Sequence, residues 1–257
     1  SPAQKAGIKA GEVIMKVNGE EVVDWGVDKV VDKIRGEIGT SVKLTLQNGQ
    51  QIREVSVVRQ NITAPAVESR INGKTGILTV SRFNDDTVSA ARKAAREFID
   101  RGVTKVIVDL RNNPGGTVDS AQGLLGLWLN DQVVLTERRG SETVKTLNST
   151  GSPILENMQT VVLINENSAS ASEITAGALR DYGKAKLVGK KSYGKGSVQV
   201  VLDLSSGSQL KVTEARWYTP KGKNIDKEGI KPDVEVELTA DDVKNDKDPQ
   251  LEKAESL

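Results

Sequence analysis

The sequence predicts an α/β fold with a smaller, strand-rich module at its N-terminal end. Two runs carry this expectation. Val106-Ile107-Val108 and Thr160-Val161-Val162-Leu163-Ile164 are continuously apolar, as strands covered on both faces of a parallel sheet are. Each leads into a polar or glycine-rich turn and then a helical pattern, so strands and helices alternate. Composition adds a third indication. At 257 residues the chain can build a sizeable core, and with aromatics at 3% that core must rest on Val, Ile, Leu and Ala.

The elements follow in chain order. Ser1-Pro2-Ala3-Gln4 reads as a helix start with Pro at the first helical position, closed by Gly7 and Gly11. Val13 to Val17 is an apolar strand ending at an Asn18-Gly19 turn. Val27, Val30, Val31 and Ile34 recur at helical spacing. Val42 to Leu46 and Ile52 to Val58 alternate as strands joined through Asn48-Gly49. Residues 1–60 thus read as one module. Residues 61–75, with Pro65 and little periodicity, read as a linker. Residues 76–240 carry the α/β pattern: a strand from Gly76 to Val80, a helix from Thr87 to Arg101, the strand at 106–108, a helix from Val118 to Leu129, the strand at 160–164 and a helix from about Ala171 to Arg180. Hairpin-like strands return between Val198 and Tyr218. Residues 241–257 form a charged tail with a helical hint near Leu251. No repeat is visible, no signal-peptide pattern is present, and no apolar stretch approaches the roughly 20 residues needed to span a bilayer.

The composition excludes several chemistries. There is no histidine and no cysteine. A Ser-His-Asp or Cys-His unit, imidazole or thiolate metal ligands, and disulfides are therefore all ruled out. With 36 Lys+Arg against 35 Asp+Glu, the balance argues against a strongly basic surface for nucleic acid, though not against a local basic patch.

Three constellations remain. Asp109-Leu110-Arg111-Asn112-Asn113-Pro114-Gly115-Gly116 follows a buried strand and precedes a helix. Its glycines can turn backbone N–H groups into a cleft that suits an oxyanion; the plainer explanation is an ordinary strand-to-helix turn. Asn165 to Ile174 lies in the same kind of position and holds Ser168, Ser170 and Ser172. A serine there is exposed beside a helix N-terminus, as a nucleophile would be; capping explains such residues equally well, and the spacing does not choose among the three. Lys190 to Gln199 contains Gly194-Lys195-Gly196. The glycine spacing fails the phosphate-loop pattern and no helix follows. Without histidine, Lys195 is the natural base for a serine, and burial would have to lower its pKa from about 10.4; a solvated basic loop is the plainer explanation.

Together and in this order, these segments resemble the carboxy-terminal processing (tail-specific) proteases, serine endopeptidases with a Ser–Lys pair. Ser1 to Ile8 with Gly11-Glu12-Val13-Ile14 resembles the interior of a PDZ domain. The other three segments resemble the family's glycine turn, nucleophile motif and lysine motif. Trp217-Tyr218-Thr219-Pro220 and Gly229-Ile230-Lys231-Pro232-Asp233 resemble its downstream signature. The resemblance implies a Clp/crotonase-like superhelical protease core over 76–240 and a partial PDZ domain over 1–60. In that PDZ domain the glycine loop that holds a terminal carboxylate is expected to be missing.

The resemblance also implies roles. Ser170 is the nucleophile and Lys195, twenty-five positions later, its base. Gln199, on the same strand face as Lys195, orients the lysine. Ala171 and Gly116 supply oxyanion N–H groups, Glu173 and Asp181 are auxiliary acids, and Ser172 becomes a helix cap. No metal or cofactor is implied. The implied substrates are proteins or peptides with flexible C-termini, bound through the PDZ domain. Self-association and an extracytoplasmic location (periplasm, cell envelope or plastid lumen) follow by family analogy. Two other readings compete: a catalytically silent PDZ scaffold with Ser170 and Lys195 held apart, and a crotonase-like acyl-CoA enzyme.

Overall fold

The computed structural model describes residues 1–9, 11–61, 65–204 and 208–257. The chain divides into two units, Ser1–Ala64 with Thr239–Asp248, and Pro65–Leu238 with Pro249–Leu257.

In the first unit, α1 (Pro2–Lys5) is capped by the Ser1 side chain, which accepts from Gln4 N. Strands β1 (Val13–Val17), β2 (Glu20–Glu21), β3 (Ser41–Asn48) and β4 (Gln51–Val58) form an antiparallel sheet in the order β2-β1-β3-β4, with α2 (Val27–Ile34) between β2 and β3. The alternation read from the sequence is the observed burial of β3: Val42, Leu44 and Leu46 face a core with Val17, Val22 and Val57, and their neighbours face out. Arg53 of β4 grips Glu12, donating from Nε to Oε1 and from Nη2 to Oε2, each at 2.9 Å. These bonds, with the Lys9 N–H on Oε2, hold the Glu12 carboxyl well below the usual range, at about 2.

The second unit is built on a six-stranded sheet. Its strands are β5 (Val67–Asn72), β6 (Thr75–Val80), β7 (Lys105–Asp109), β10 (Gln159–Ile164), β11 (Ala185–Gly189) and β14 (Val234–Glu235), in the order β14-β11-β10-β7-β6-β5. All neighbours are parallel except β5 and β6. Helices α3 (Asp85–Asp100), α4 (Val118–Leu125) and α5 (Ala171–Asp181) connect them. One face of the sheet packs Val106, Val108, Val162 and Ile164 against these helices, where Ala91, Ala94, Ala95 and Phe98 line α3. The other face packs Ile107, Val161, Leu163 and Val188 against Ala254 of α7 (Pro249–Ser256). Both faces are therefore covered, which is why these strands read as unbroken apolar runs. A second, antiparallel sheet has the order β12-β13-β8-β9, from β8 (Val133–Arg139), β9 (Glu142–Asn148), β12 (Ser197–Asp203) and β13 (Gln209–Tyr218). The remaining helix, α6 (Ala240–Lys244), belongs to the first unit. No helix among the described residues is long and apolar enough to cross a membrane.

Several sequence expectations differ from this arrangement. Residues 67–72, expected within a linker, are a strand of the central sheet; beyond Val67 it is an exposed edge strand, so no apolar alternation marks it. Residues 62–64 of the expected linker lie outside the described residues. Residues 249–256, expected as part of a charged tail with a helical hint near Leu251, form a full helix whose buried residues, Gln250 and Ala254, are not conspicuous by hydropathy. The helix expected to reach Leu129 ends at Leu125. Strands β8, β9 and β11 were not among the expected elements.

Candidate active site

Strands β7, β10 and β11 are adjacent and parallel. Their carboxyl ends therefore lie side by side, and each releases one of the three candidate loops. In α/β sheets this edge is where ligands bind.

The middle loop separates its three serines by their hydrogen bonds. Ser168 Oγ donates to Leu110 O at 2.8 Å and accepts from Asn165 N at 2.9 Å. Ser172 Oγ donates to Asn113 O at 2.9 Å. Both residues are fully buried, and both hydroxyls tie the loop to the glycine turn or to itself. The Ser170 hydroxyl donates to no group among the described residues; with Glu173 it forms the capping box that opens α5, and Ser170 keeps 7% exposure. Its backbone sits at φ 56, ψ −116, a strained position for a residue with a Cβ. A serine on a sharp strand-to-helix turn is the geometry that presents a nucleophile above an α/β sheet. Ser170, not Ser172, occupies the N-cap position of α5. The expected capping role of Ser172 is corrected: it is the second residue of the helix, and its hydroxyl is committed to Asn113.

The glycine turn closes over Ser170. Asn113 is fully buried and organises it. Its Nδ2 donates to Val80 O at 2.7 Å, its Oδ1 accepts from Gly115 N at 2.8 Å, and its carbonyl accepts from Ala169 N at 3.0 Å. Gly115 has φ 99, and a Cβ there would lie 2.8 Å from Ser170 Cβ. Gly116 bridges to Phe83, through Phe83 N to Gly115 O and Thr117 N to Phe83 O. The Gly115 N–H is thus used. The Gly116 N–H has no acceptor among the described residues, nor does that of Ala171, the first residue of α5.

The lysine loop is held by Glu173. This carboxylate is 1% exposed. Its Oε1 accepts from Ser192 Oγ at 2.6 Å and Gly194 N at 2.7 Å. Its Oε2 accepts from Ser170 N and Lys195 N, both at 2.9 Å. Ser192 Oγ in turn accepts from Ile230 N at 2.7 Å, which fastens the downstream segment. The Lys195 side chain is exposed, and no hydrogen bond joins it to Ser170 Oγ among the described residues. The burial expected for Lys195 is therefore absent here. The loop is anchored through main-chain N–H groups, and that leaves the lysine side chain unheld.

Lys195 also precedes β12 instead of lying within it, and a register shift separates Val198 from Gln199. The shared strand face expected for Lys195 and Gln199 is thus corrected; Gln199 is exposed, opposite Thr213. Asp181 ends α5, roughly 16 Å along the helix from Ser170 at about 1.5 Å per residue. It accepts from Lys221 N at 3.0 Å. The structure brings Glu173 to Ser170 and does not bring Asp181 there. Sequence reasoning missed Asn113 and Ser192, whose only signal was an uncharged polar residue inside a glycine-bearing loop. Among the described residues no group of three or more Asp or Glu is placed to hold a metal ion.

A family comparison decides where this arrangement belongs. The Peptidase family S41 profile matches residues 74–236, well over half of the chain. The chain belongs to peptidase family S41. The S41 region holds all three loops, and a PDZ domain profile matches residues 1–48 ahead of it. A "Probable CtpA-like serine protease" of Staphylococcus haemolyticus is 40% identical over 239 residues, 92% of this S41 chain and 48% of the relative. One of the same name from Staphylococcus aureus is 40% identical over 240 residues, with the same coverage. The S41 chain thus spans about half the length of the curated relatives it matches. Among solved structures, it is similar to the photosystem II D1 C-terminal processing protease, with TM-score 0.69 and 31% identity over 92% of this chain and 66% of that one. A structure assigned to the S41 proteases from Bacteroides fragilis NCTC 9343 shares the fold at TM-score 0.65 and 23% identity, over 95% of this chain and 70% of that one.

Proposed function

We propose that this chain is a serine endopeptidase that cleaves near the C-termini of protein substrates, with Ser170 as nucleophile and Lys195 as base. The observation that carries the reading is Ser170 itself. Of three neighbouring serines it alone has a hydroxyl that donates to no protein group among the described residues, on a strained turn between two unengaged N–H groups, those of Ala171 and Gly116.

The chemistry follows from these positions. Neutral Lys195 Nζ takes the proton of Ser170 Oγ as the oxygen bonds to the substrate's carbonyl carbon. The oxyanion that forms is met by the Ala171 and Gly116 N–H groups. As the C–N bond breaks, the ammonium returns its proton to the departing amine. Water then attacks the acyl-enzyme, with Lys195 again accepting a proton. This requires the exposed Lys195 side chain to turn inward, a rotation about side-chain bonds, since Glu173 already fixes the main chain. Gln199 would steady the lysine once it has turned.

The substrate class rests on the PDZ region, which would take a C-terminal peptide by strand addition, and on the similarity to processing proteases. Substrates with flexible C-termini, self-association and a location outside the cytoplasm all belong to this proposal. The exposure of Lys195 favours a second reading, a catalytically silent peptide-binding scaffold.

Cleavage of fluorescein-labelled casein by the purified chain, beside S170A and K195A, tests the first reading against the second. The expected result is cleavage by the wild type and none by either folded variant. Undiminished cleavage by S170A removes the assignment of the nucleophile. No cleavage by the wild type, with peptide binding retained, supports the scaffold.

A further inference from the structure

The antiparallel sheet carries, beside the lysine loop, a positive charge that no carboxylate among the described residues compensates. Arg216 of β13 lies opposite Ser197 of β12 on one side and opposite Arg138 of β8 on the other. The next residue, Trp217, donates its N–H to Gly196 O at 2.7 Å. This part of β13 therefore adjoins the residue after Lys195. Directly opposed residues on antiparallel strands have Cβ atoms about 5 Å apart, and like charges there are destabilising. Two arginines so placed call for anions.

The described residues supply only some of them. Arg216 Nε pairs with Asp226 at 3.3 Å, and Arg139 pairs with Glu214. Arg138 has no carboxylate partner among the described residues. Its guanidinium lies over the Tyr218 ring, 4.5 Å from the centroid, and its Nε is buried without an acceptor. Thr136, two residues earlier and so on the same face of β8, has a buried hydroxyl that is likewise unpartnered. Buried polar groups left unsatisfied in a native structure require an explanation. A cavity of about 260 Å³ opens beside Arg138, lined by Arg138, Arg139, Glu214, Arg216 and Tyr218 among others.

We propose that Arg138 and Arg216 form a carboxylate-binding subsite, backed by Tyr218, for the peptide presented to Ser170. A guanidinium fork held flat by an aromatic ring suits a carboxylate, which it can meet with two parallel hydrogen bonds. A bound carboxylate would also relieve the repulsion between the opposed arginines. In a peptide it can come from an acidic side chain or from the C-terminal group. The proposal rests on the peptidase reading, and its test separates the two.

A set of fluorogenic peptides of one sequence, with Glu or Gln at each successive position and with a free or amidated C-terminus, distinguishes the sources. kcat/KM is measured for the wild type, R138Q, R138K and R216Q. Loss of one particular carboxylate is expected to lower the wild-type value about tenfold. The acid-to-neutral ratio is expected to approach one in R138Q and to be intermediate in R138K, whose point charge cannot form the fork. A wild-type ratio of one at every position and terminus, or a ratio undiminished in R138Q and R216Q, overturns the subsite.

Binding of the same peptides, labelled for fluorescence anisotropy, to S170A and S170A/R138Q gives the second readout. If the wild type cleaves nothing while S170A prefers the acidic peptide through Arg138, the subsite stands and the peptidase reading fails. If neither assay distinguishes the acidic from the neutral peptide, the subsite falls.

Discussion

Glu173 holds Lys195 by its main chain: Oε2 accepts the Lys195 N–H at 2.9 Å, and the same oxygen accepts the Ser170 N–H at the same distance. One buried carboxylate therefore sets the serine loop against the lysine loop. E173Q replaces one acceptor oxygen with an NH2 group that must face existing donors. The variant is expected to lose about 3 kcal/mol of stability, from bonds to a charged group and a donor left unpaired. Peptide cleavage is expected to fall about 100-fold, as small misplacements of reacting groups do. Thermal denaturation and a peptide cleavage assay check the two effects; a variant with the wild-type melting temperature and rate would remove Glu173 from this role.

The serine loop predicts opposite outcomes for neighbouring hydroxyls. Ser168 and Ser172 spend theirs on the fold, so S168A and S172A are each expected to lose about 1–2 kcal/mol while still cleaving peptide. Ser170 donates none among the described residues and sits at φ 56. S170G should abolish cleavage and raise stability by about 1 kcal/mol, because glycine relieves the strained backbone. Urea unfolding of the three variants beside the wild type measures this; a destabilised S170G would show that the turn is not strained.

Gly115 is the residue whose substitution moves the turn against Ser170. A Cβ at that position would lie 2.7 Å from Ala169 O and 2.8 Å from Ser170 Cβ, on a backbone with φ 99. G115A is expected to push the Gly116 N–H out of line with a developing oxyanion and to lower kcat about 100-fold, the cost of one lost donor, with a much smaller change in KM. Steady-state kinetics on a fluorogenic peptide give both constants; an unchanged kcat would place the oxyanion donors elsewhere.

Much of this site was legible because its framework is periodic. Val106 to Val108 and Thr160 to Ile164 announced buried parallel strands, and the loops at their carboxyl ends held the candidate residues. The direction each side chain takes from those loops was not legible. Ser168, Ser170 and Ser172 are alike in type and spacing, and only the bonds that Ser168 donates to Leu110 and Ser172 to Asn113 set those two apart from Ser170. The exposure of Lys195 has the same origin: the loop is fixed through N–H groups that every residue type except proline carries, so no local pattern reports where the ammonium points. Edge strand β5 escaped notice, and helix α7 gave only a hint near Leu251, for a different reason. Glu68, Arg70 and Asn72 face solvent, and α7 buries a small alanine and a glutamine where apolar periodicity is sought.

The Glu12–Arg53 pair in the N-terminal unit gives a prediction in pH. Its carboxyl is lowered from 4.5 to about 2, by Arg53 first and by the Lys9 N–H next. A group whose pKa is depressed on folding contributes stability above its unfolded value, and that contribution is lost as pH falls through the folded value. The window therefore runs from about 4.5 down to about 2. Above it the wild type should be more stable than E12Q, and the difference should close as the pH falls through the window. R53Q should remove the same contribution, because the carboxyl then loses its main partner. Urea unfolding of the whole chain at a series of pH values, followed by Trp25 fluorescence with Trp128 and Trp217 replaced by Phe in every protein compared, reports on this unit. A gap between wild type and E12Q that stays constant from pH 6 to pH 2 would mean that Arg53 does not hold the Glu12 carboxylate in solution.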